Sequence, residues 1–211
     1  MKLESIRNEY RLNELSEQNT QQNPFDQFRQ WINESVQAKV NEPTAMSLST
    51  IGTNGFPETR IVLLKGFDTE KITFYTNYNS RKGISIERDA RVGLHFFWPE
   101  LERQVRITGF AKKTCSELST RYFNSRPHQS QIAAVISDQS AEISSREFLE
   151  EEFDALKIKL HGKDPGRPDN WGGYHVKPVK FEFWQGRENR LHDRITYEKS
   201  NNKWLKKRLA P

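Results

Sequence analysis

Apolar positions along this chain recur with two different periods, and the switch between them marks out its elements. Phe25, Phe28, Ile32, Val36 and Val40 follow helical spacing, and Asn23 before Pro24 is a cap followed by a first-turn proline, so a helix is expected to about Asn41. From Ala45 the period falls to two. Met46, Leu48 and Thr50 precede the turn Thr53-Asn54-Gly55, and the β-rich run 59–65 completes a hairpin. A turn at 68–71 leads to a third strand over 72–76. Ser80 then caps a short helix through about Arg88, and strands are expected over 92–98 and 103–112. Thr114 with Glu117 reads as a capping box, opening a helix that stops before Pro127. Another helix is expected over 130–136, and Ser144 with Glu147 caps a longer one to about Leu160. The Gly- and Pro-rich stretch 162–173 leads into three final strands, the last over 203–208.

Strands in a block, interrupted by helices but never strictly alternating with them, predict an antiparallel sheet or barrel. The expected fold class is mainly β with peripheral helices (α+β). Residues 1–22 are polar, with Arg7, Tyr10, Arg11 and Leu12 scattered among Glu, Asn and Gln, so a mobile arm or marginal helix is expected there. Residues 23–211 are expected to form a single domain.

Composition narrows the class. Hydrophobic residues make up 34% of the 211 and mean hydropathy is −0.88, low for an isolated globule, so solvated termini or a partner subunit is implied. No run approaches the roughly 18 apolar residues of a membrane span, and the start lacks a signal-peptide core, which makes the cytoplasm the default. Cys115 is the only cysteine, and His95, His128, His161, His175 and His192 show no close ligand spacing, so no metal site is expected. A formal charge of +5 permits nucleic-acid binding without a concentrated basic face to argue for it. A phosphorylated small molecule fits that balance equally well.

The densest chemistry lies in Phe181-Glu182-Phe183-Trp184-Gln185-Gly186 and the following Arg190, His192, Asp193 and Arg194. The pattern reads as a strand, a turn at Gly186 and Asn189, and a second strand with Arg190, His192 and Arg194 on one face. Such cations either meet an anion or an electron-rich ring, or pair with Glu182, Glu188 or Asp193, which is the commoner fate. The run Arg60-Ile61-Val62-Leu63-Leu64-Lys65 places a cation at each end of a strand that looks buried, on opposite faces if regular. Arg81 and Lys82 follow Ser80 in a first helical turn, where they oppose the helix dipole unless an anion sits there. Tyr122 and Arg126, four apart on one expected helix, form a second anion-binding candidate with Ser130. No Walker loop or G-x-G-x-x-G is present.

These fragments together resemble the pyridoxamine 5'-phosphate oxidase family. The resemblance implies an FMN-binding split β-barrel that oxidises pyridoxamine or pyridoxine 5'-phosphate to pyridoxal 5'-phosphate. Dioxygen is the acceptor and hydrogen peroxide a product, and FMN lies at the interface of a homodimer. It places FMN against Arg60, Ile61, Val62, Leu63, Leu64, Lys65, Tyr75, Thr76, Arg81, Lys82, Gln104, Gln139, Ser140, Trp184 and Arg194. Substrate phosphate falls to Lys65, Tyr122, Arg126 and Ser130, and the pyridine ring to Arg190 and His192, the residues expected to act in catalysis. Arg7 and Tyr10 match a segment that closes over it. A phenazine-biosynthesis oxidase of the same barrel, or a non-catalytic FMN or pyridoxal phosphate binder, are the rival readings.

Overall fold

The computed structural model describes residues 3–5 and 9–211, so Arg7 lies outside the described residues. Helix α1 spans Pro24–Gln37, and the Asn23 side chain accepts the N–H of Phe25 as its cap. It ends a turn earlier than its periodicity predicts, because Lys39 adopts a left-handed conformation (φ 54°). Val36 is therefore 54% exposed, while Phe25, Phe28, Trp31 and Ile32 fill the buried stripe.

Among the described residues nine strands form one antiparallel sheet: β1 (Ala45–Ile51), β2 (Pro57–Leu63), β3 (Gly66–Phe67), β4 (Ile72–Asn77), β5 (Arg91–Trp98), β6 (Arg103–Lys113), β7 (Trp171–Gln185), β8 (Asp193–Ser200) and β9 (Lys203–Leu209). The order β2-β1-β5-β6-β7-β4-β3, with β8 and β9 attached to β7, curls it into a half-barrel. Strand β7 makes the curl. Its first half pairs with β4 and its second half with β8, while β6 runs beside both. Between the halves the β6–β7 register slips at Thr108/Gly109, beside Pro178. A proline can occupy a mid-sheet strand at such a bulge, and Gly109 is required because a Cβ there would lie 2.4 Å from the Lys177 carbonyl oxygen.

On the concave face Leu48, Leu94, Ile107, Phe181 and Tyr197 lie across successive strands, beside Phe96, Val105, Phe183 and Ile195. Helix α1 covers this face, with Trp31 edge-on to Phe183 (5.2 Å, 89°) and Phe25 edge-on to Phe181 (5.1 Å, 71°). The opposite face carries Ile61, Phe97, Phe110 and Val179, all exposed. Strand β2 is thus an edge strand showing Ile61 (62% exposed) to solvent, not the buried strand its apolar run suggests.

The remaining helices are α2 (Arg81–Arg88), α3 (Ser116–Asn124), α4 (His128–Ile136) and α5 (Arg146–Leu160). Ser80 caps α2 as expected. Neither capping box forms as read. Thr114 Oγ1 bonds Ser119 Oγ (2.7 Å), leaving Cys115 to start α3 without a side-chain cap, and Ser145 instead of Ser144 caps α5. No helix among the described residues is long and apolar enough to cross a membrane.

Residues 9–22 lie along β7, β8 and β9. Leu15 is buried, its N–H donates to Asp193 Oδ2 (3.0 Å) and its carbonyl accepts from Arg208 Nη2 (2.9 Å). Tyr197 Oη donates to the Gln21 carbonyl (2.6 Å), so what this segment touches supplies its order.

Phe183 is fully buried between Trp31 and Tyr197. Phe183→Ala is expected to lower unfolding free energy by about 3–5 kcal/mol in urea titration. A loss below about 1 kcal/mol would contradict this packing.

Candidate active site

Strands β2 and β4 with helices α3 and α4 enclose a cavity of about 410 Å³. Its lining includes Ile61, Val62, Leu63, Lys65, Tyr75, Thr76, Lys82, Tyr122, Arg126, Ser130 and Gln139, which brings together residues spread from 61 to 139. Lys65 reaches it because β2 stops at Leu63. Leu64 turns into the core, and the Lys65 N–H bonds the Thr73 carbonyl (2.9 Å), which breaks the alternation expected through this run.

Tyr122 projects from α3, but Arg126 lies beyond its end, so the two do not share a helix. Pro127 stops the helix, and Gln131 Nε2 holds the turn by donating to the Arg126 carbonyl (2.9 Å). Convergence survives through ring packing. Tyr75 and Tyr122 stack at 3.8 Å and 15°, and Trp171 lies nearly parallel to Tyr122 at 6.2 Å. The Arg126 guanidinium sits 4.7 Å over Trp171, and its buried Nη1 has no hydrogen-bond partner among the described residues. Burial pushes Arg126 below the ordinary arginine pKa, with Tyr122 as a smaller opposing influence. Trp171 escaped the sequence reading because it sits inside an expected loop. Its only signal was an aromatic just before Gly172-Gly173.

Lys82 occupies the first turn of α2 and is only 9% exposed. Its Nζ donates to Gln139 Oε1 (2.8 Å) and Ser80 Oγ (3.1 Å), and it forms no ion pair among the described residues. Gln139 Oε1 also accepts from Thr76 Oγ1 (3.1 Å), and Ser140 Oγ accepts the Arg81 N–H (3.3 Å), which ties the loop after α4 to β4 and α2. Desolvation, then the nearby Arg60, lowers Lys82 to about 8. Arg60 itself is engaged within the β1–β2 hairpin, through Glu58 (3.0 Å), Thr50 Oγ1 (2.8 Å) and the Leu48 carbonyl (3.2 Å). The Arg81 side chain is exposed.

A second cluster stands apart: none of its residues lines this cavity. Trp184 on β7 packs against His192 (4.7 Å) and Tyr10 (5.7 Å, 88°). The expected single strand face does not form. Asn189 and Arg190 both have positive φ in a short 3-10 turn, Glu188–Arg190, and β8 begins only at Asp193. Arg194 lies opposite Trp184 and pairs with Glu182 (2.9 Å), the commoner outcome for such a cation. Arg190 is exposed and has no ion pair among the described residues. His192 Nδ1 accepts the Arg187 N–H (3.1 Å), so the neutral ring carries its hydrogen on Nε2. Burial, then Arg190, lowers its pKa. Gln104, paired across β6–β7 with Trp184, bonds His95 Nε2 (3.1 Å).

The curled sheet and its flanking helices define a split-barrel protein whose cavity gathers aromatic and cationic side chains. PhzG from Burkholderia lata, solved in complex with tetrahydrophenazine-1-carboxylic acid, superposes with a TM-score of 0.89 at 26% identity, covering 95% of this chain and 99% of that one. An FMN-binding, pyridoxamine 5'-phosphate oxidase-related protein from Nostoc punctiforme has the same fold (TM-score 0.73, 16% identity, 87% and 97% covered). Residues 32–159 match the family model for pyridoxamine 5'-phosphate oxidase, and residues 171–211 match the pyridoxine 5'-phosphate oxidase C-terminal dimerisation region. Pyridoxine/pyridoxamine 5'-phosphate oxidases from Haemophilus influenzae (strain 86-028NP) and Hahella chejuensis are 50% and 48% identical, each over the whole of both chains. The chain belongs to the pyridoxamine 5'-phosphate oxidase family.

The low Lys82 pKa gives a test of the cavity's electrostatics. Its folded value lies below the ordinary 10.5, so the unfolded chain binds more protons between about 8 and 10.5, and this group's contribution makes stability rise with pH across that window. NMR titration of the Lys82 side chain is expected to give a midpoint near 8, moving upward when inorganic phosphate is added. A midpoint above about 10 in phosphate-free protein would contradict this environment.

Proposed function

We propose that this protein is an FMN-dependent oxidase converting pyridoxamine 5'-phosphate and pyridoxine 5'-phosphate to pyridoxal 5'-phosphate, with dioxygen as acceptor and hydrogen peroxide as product. The observation that carries the reading is one cavity holding a buried lysine and a half-buried arginine without carboxylate partners among the described residues: Arg126, whose buried Nη1 is unbonded there, and Lys82, bonded only to neutral oxygens. Removing charge from water is costly unless a partner restores what hydration supplied, and a phosphate dianion does so with charge-assisted bonds. The residues present therefore fit phosphorylated ligands.

Lys65, Tyr122, Arg126 and Ser130 would hold the substrate phosphate. Lys82 at the α2 N-terminus, with Thr76, Arg81, Gln139 and Ser140, would hold the cofactor phosphate, where the free N–H groups of the helix add to the attraction. When bound, FMN supplies the two-electron redox chemistry and dioxygen regenerates it. The chain's own residues bind and orient: an anchored phosphate fixes the substrate ring, so that its reacting carbon is held instead of diffusing. Arg190, exposed and without an ion pair among the described residues, can stack its planar guanidinium on that ring, and His192 donates from Nε2 without carrying charge near neutrality.

Trp184, Gln104, Arg190 and His192 lie outside the cavity of their own chain. A homodimer would supply them from a second copy, with FMN between the subunits. Exposed Ile61, Phe97 and Phe110 on the convex sheet face support such an assembly, as does the matched dimerisation region. The PhzG likeness favours a phenazine-type substrate as a second reading, but such a substrate would leave the Arg126 site unfilled.

Aerobic incubation with pyridoxamine 5'-phosphate, following pyridoxal 5'-phosphate and peroxide together, tests the reaction. Both are expected in equal amounts, and oxidation of neither substrate would leave only a binder. Arg126→Met is expected to raise KM for the phosphorylated substrate about 30-fold or more, with little effect on unphosphorylated pyridoxamine. Arg190→Ala should depress kcat/KM strongly while FMN stays bound, and unchanged turnover would remove Arg190 from the reaction.

A further inference from the structure

Glu102 makes a set of contacts that a merely solvated surface charge would not. It follows the 3-10 turn Pro99–Leu101 in a left-handed conformation (φ 53°, ψ 39°). One carboxylate oxygen, Oε2, accepts the N–H groups of both Arg11 (2.8 Å) and Leu12 (3.0 Å). Its carbonyl accepts the Gly186 N–H (2.8 Å) and Gln185 Nε2 (3.2 Å), which joins the same residue to the end of β7. Immediately upstream of those N–H groups, Tyr10 sits edge-on to Trp184 and to His192, each at 5.7 Å.

The floor under Tyr10 is Gly186. A Cβ there would lie 2.7 Å from both Cβ and Cγ of Tyr10, and 3.1 Å from Glu102 Cβ, so any side chain would lift the tyrosine away. Downstream, the segment is gripped separately at Leu15, whose N–H and carbonyl are held by Asp193 and Arg208. Tyr10 is therefore set by a carboxylate above, a bare backbone below and a fixed point five residues on.

We infer that Glu102 is a positioning residue, and Gly186 its required complement, that together seat Tyr10 beside His192 and so complete the pyridine-binding side of the site. This rests on the functional reading above, in which His192 contacts substrate, and on the family resemblance, which has the Tyr10 segment close over the ring. Glu102 acts through the backbone of residues 11 and 12 and touches no reacting atom.

The test compares Glu102→Ala, Glu102→Gln and Gly186→Ala in full-length, FMN-loaded protein. Chymotrypsin cleavage after Tyr10 and Leu12 reports the seating, and steady-state kinetics with pyridoxamine 5'-phosphate reports its consequence. Glu102→Ala and Gly186→Ala are expected to accelerate that cleavage and raise KM about tenfold, with kcat within about twofold and melting temperature little changed. Glu102→Gln keeps an acceptor oxygen and should stay close to the parent protein. Unchanged cleavage and KM in both alanine variants would overturn the inference, as would a parallel fall in kcat with cleavage unaltered. If the parent protein forms no pyridoxal 5'-phosphate, the functional reading fails by itself, and the cleavage rates alone then decide the seating of Tyr10.

Discussion

Positive charge held in a partly dry cavity without an acidic neighbour is the constraint on which this structure turns. Several arginines among the described residues are matched by carboxylates: Arg194 by Glu182, Arg208 by Asp193 and Glu17, Arg103 by Glu34. Lys82 and Arg126 have no such match among the described residues, although Lys82 is buried and so is the Nη1 atom of Arg126. An uncompensated buried charge destabilises the fold that contains it, and in the proposed function its persistence beside a helix N-terminus and a stack of aromatic rings is a cost borne for binding. The depressed Lys82 pKa is the same strain seen from the proton's side.

The rest of the fold explains how those groups come to share a cavity. The bulge at Gly109 and Pro178 lets β7 serve β4 with one half and β8 with the other. The β4 half brings Tyr75 and Thr76 against α3 through Trp171 and the paired glycines that follow it. The β8 half carries Trp184, His192 and the docking ground for residues 9–22. One long strand thus holds the two side-chain clusters at fixed relation, while Ile61, Phe97 and Phe110 stay exposed on the convex face.

Much of this was legible from residue order where chemistry is local. Asn23-Pro24 and Ser80 cap helices as their side chains dictate, and the period-two runs became strands. Failures came where a nearby group offered a competing bond or the backbone left the regular regions. Thr114 turned to Ser119, Ser145 took the cap that Ser144 could have made, and left-handed Asn189 and Arg190 undid a strand that alternation alone suggested. In the cavity, Tyr122, Arg126 and Ser130 converge although Pro127 breaks the helical spacing that first linked them. Glu102 carries no signal in the sequence, because what it holds is backbone ninety residues away, and no periodicity reports such a contact.

The most direct measurement is a calorimetric comparison of FMN with riboflavin, which differ only in the phosphate. Two charge-assisted contacts to a desolvated lysine and its helix terminus should make FMN bind at least about 100-fold more tightly, with the gap narrowing in Lys82→Met. Equal affinities for the two would mean that the buried cations are not there to receive a phosphate.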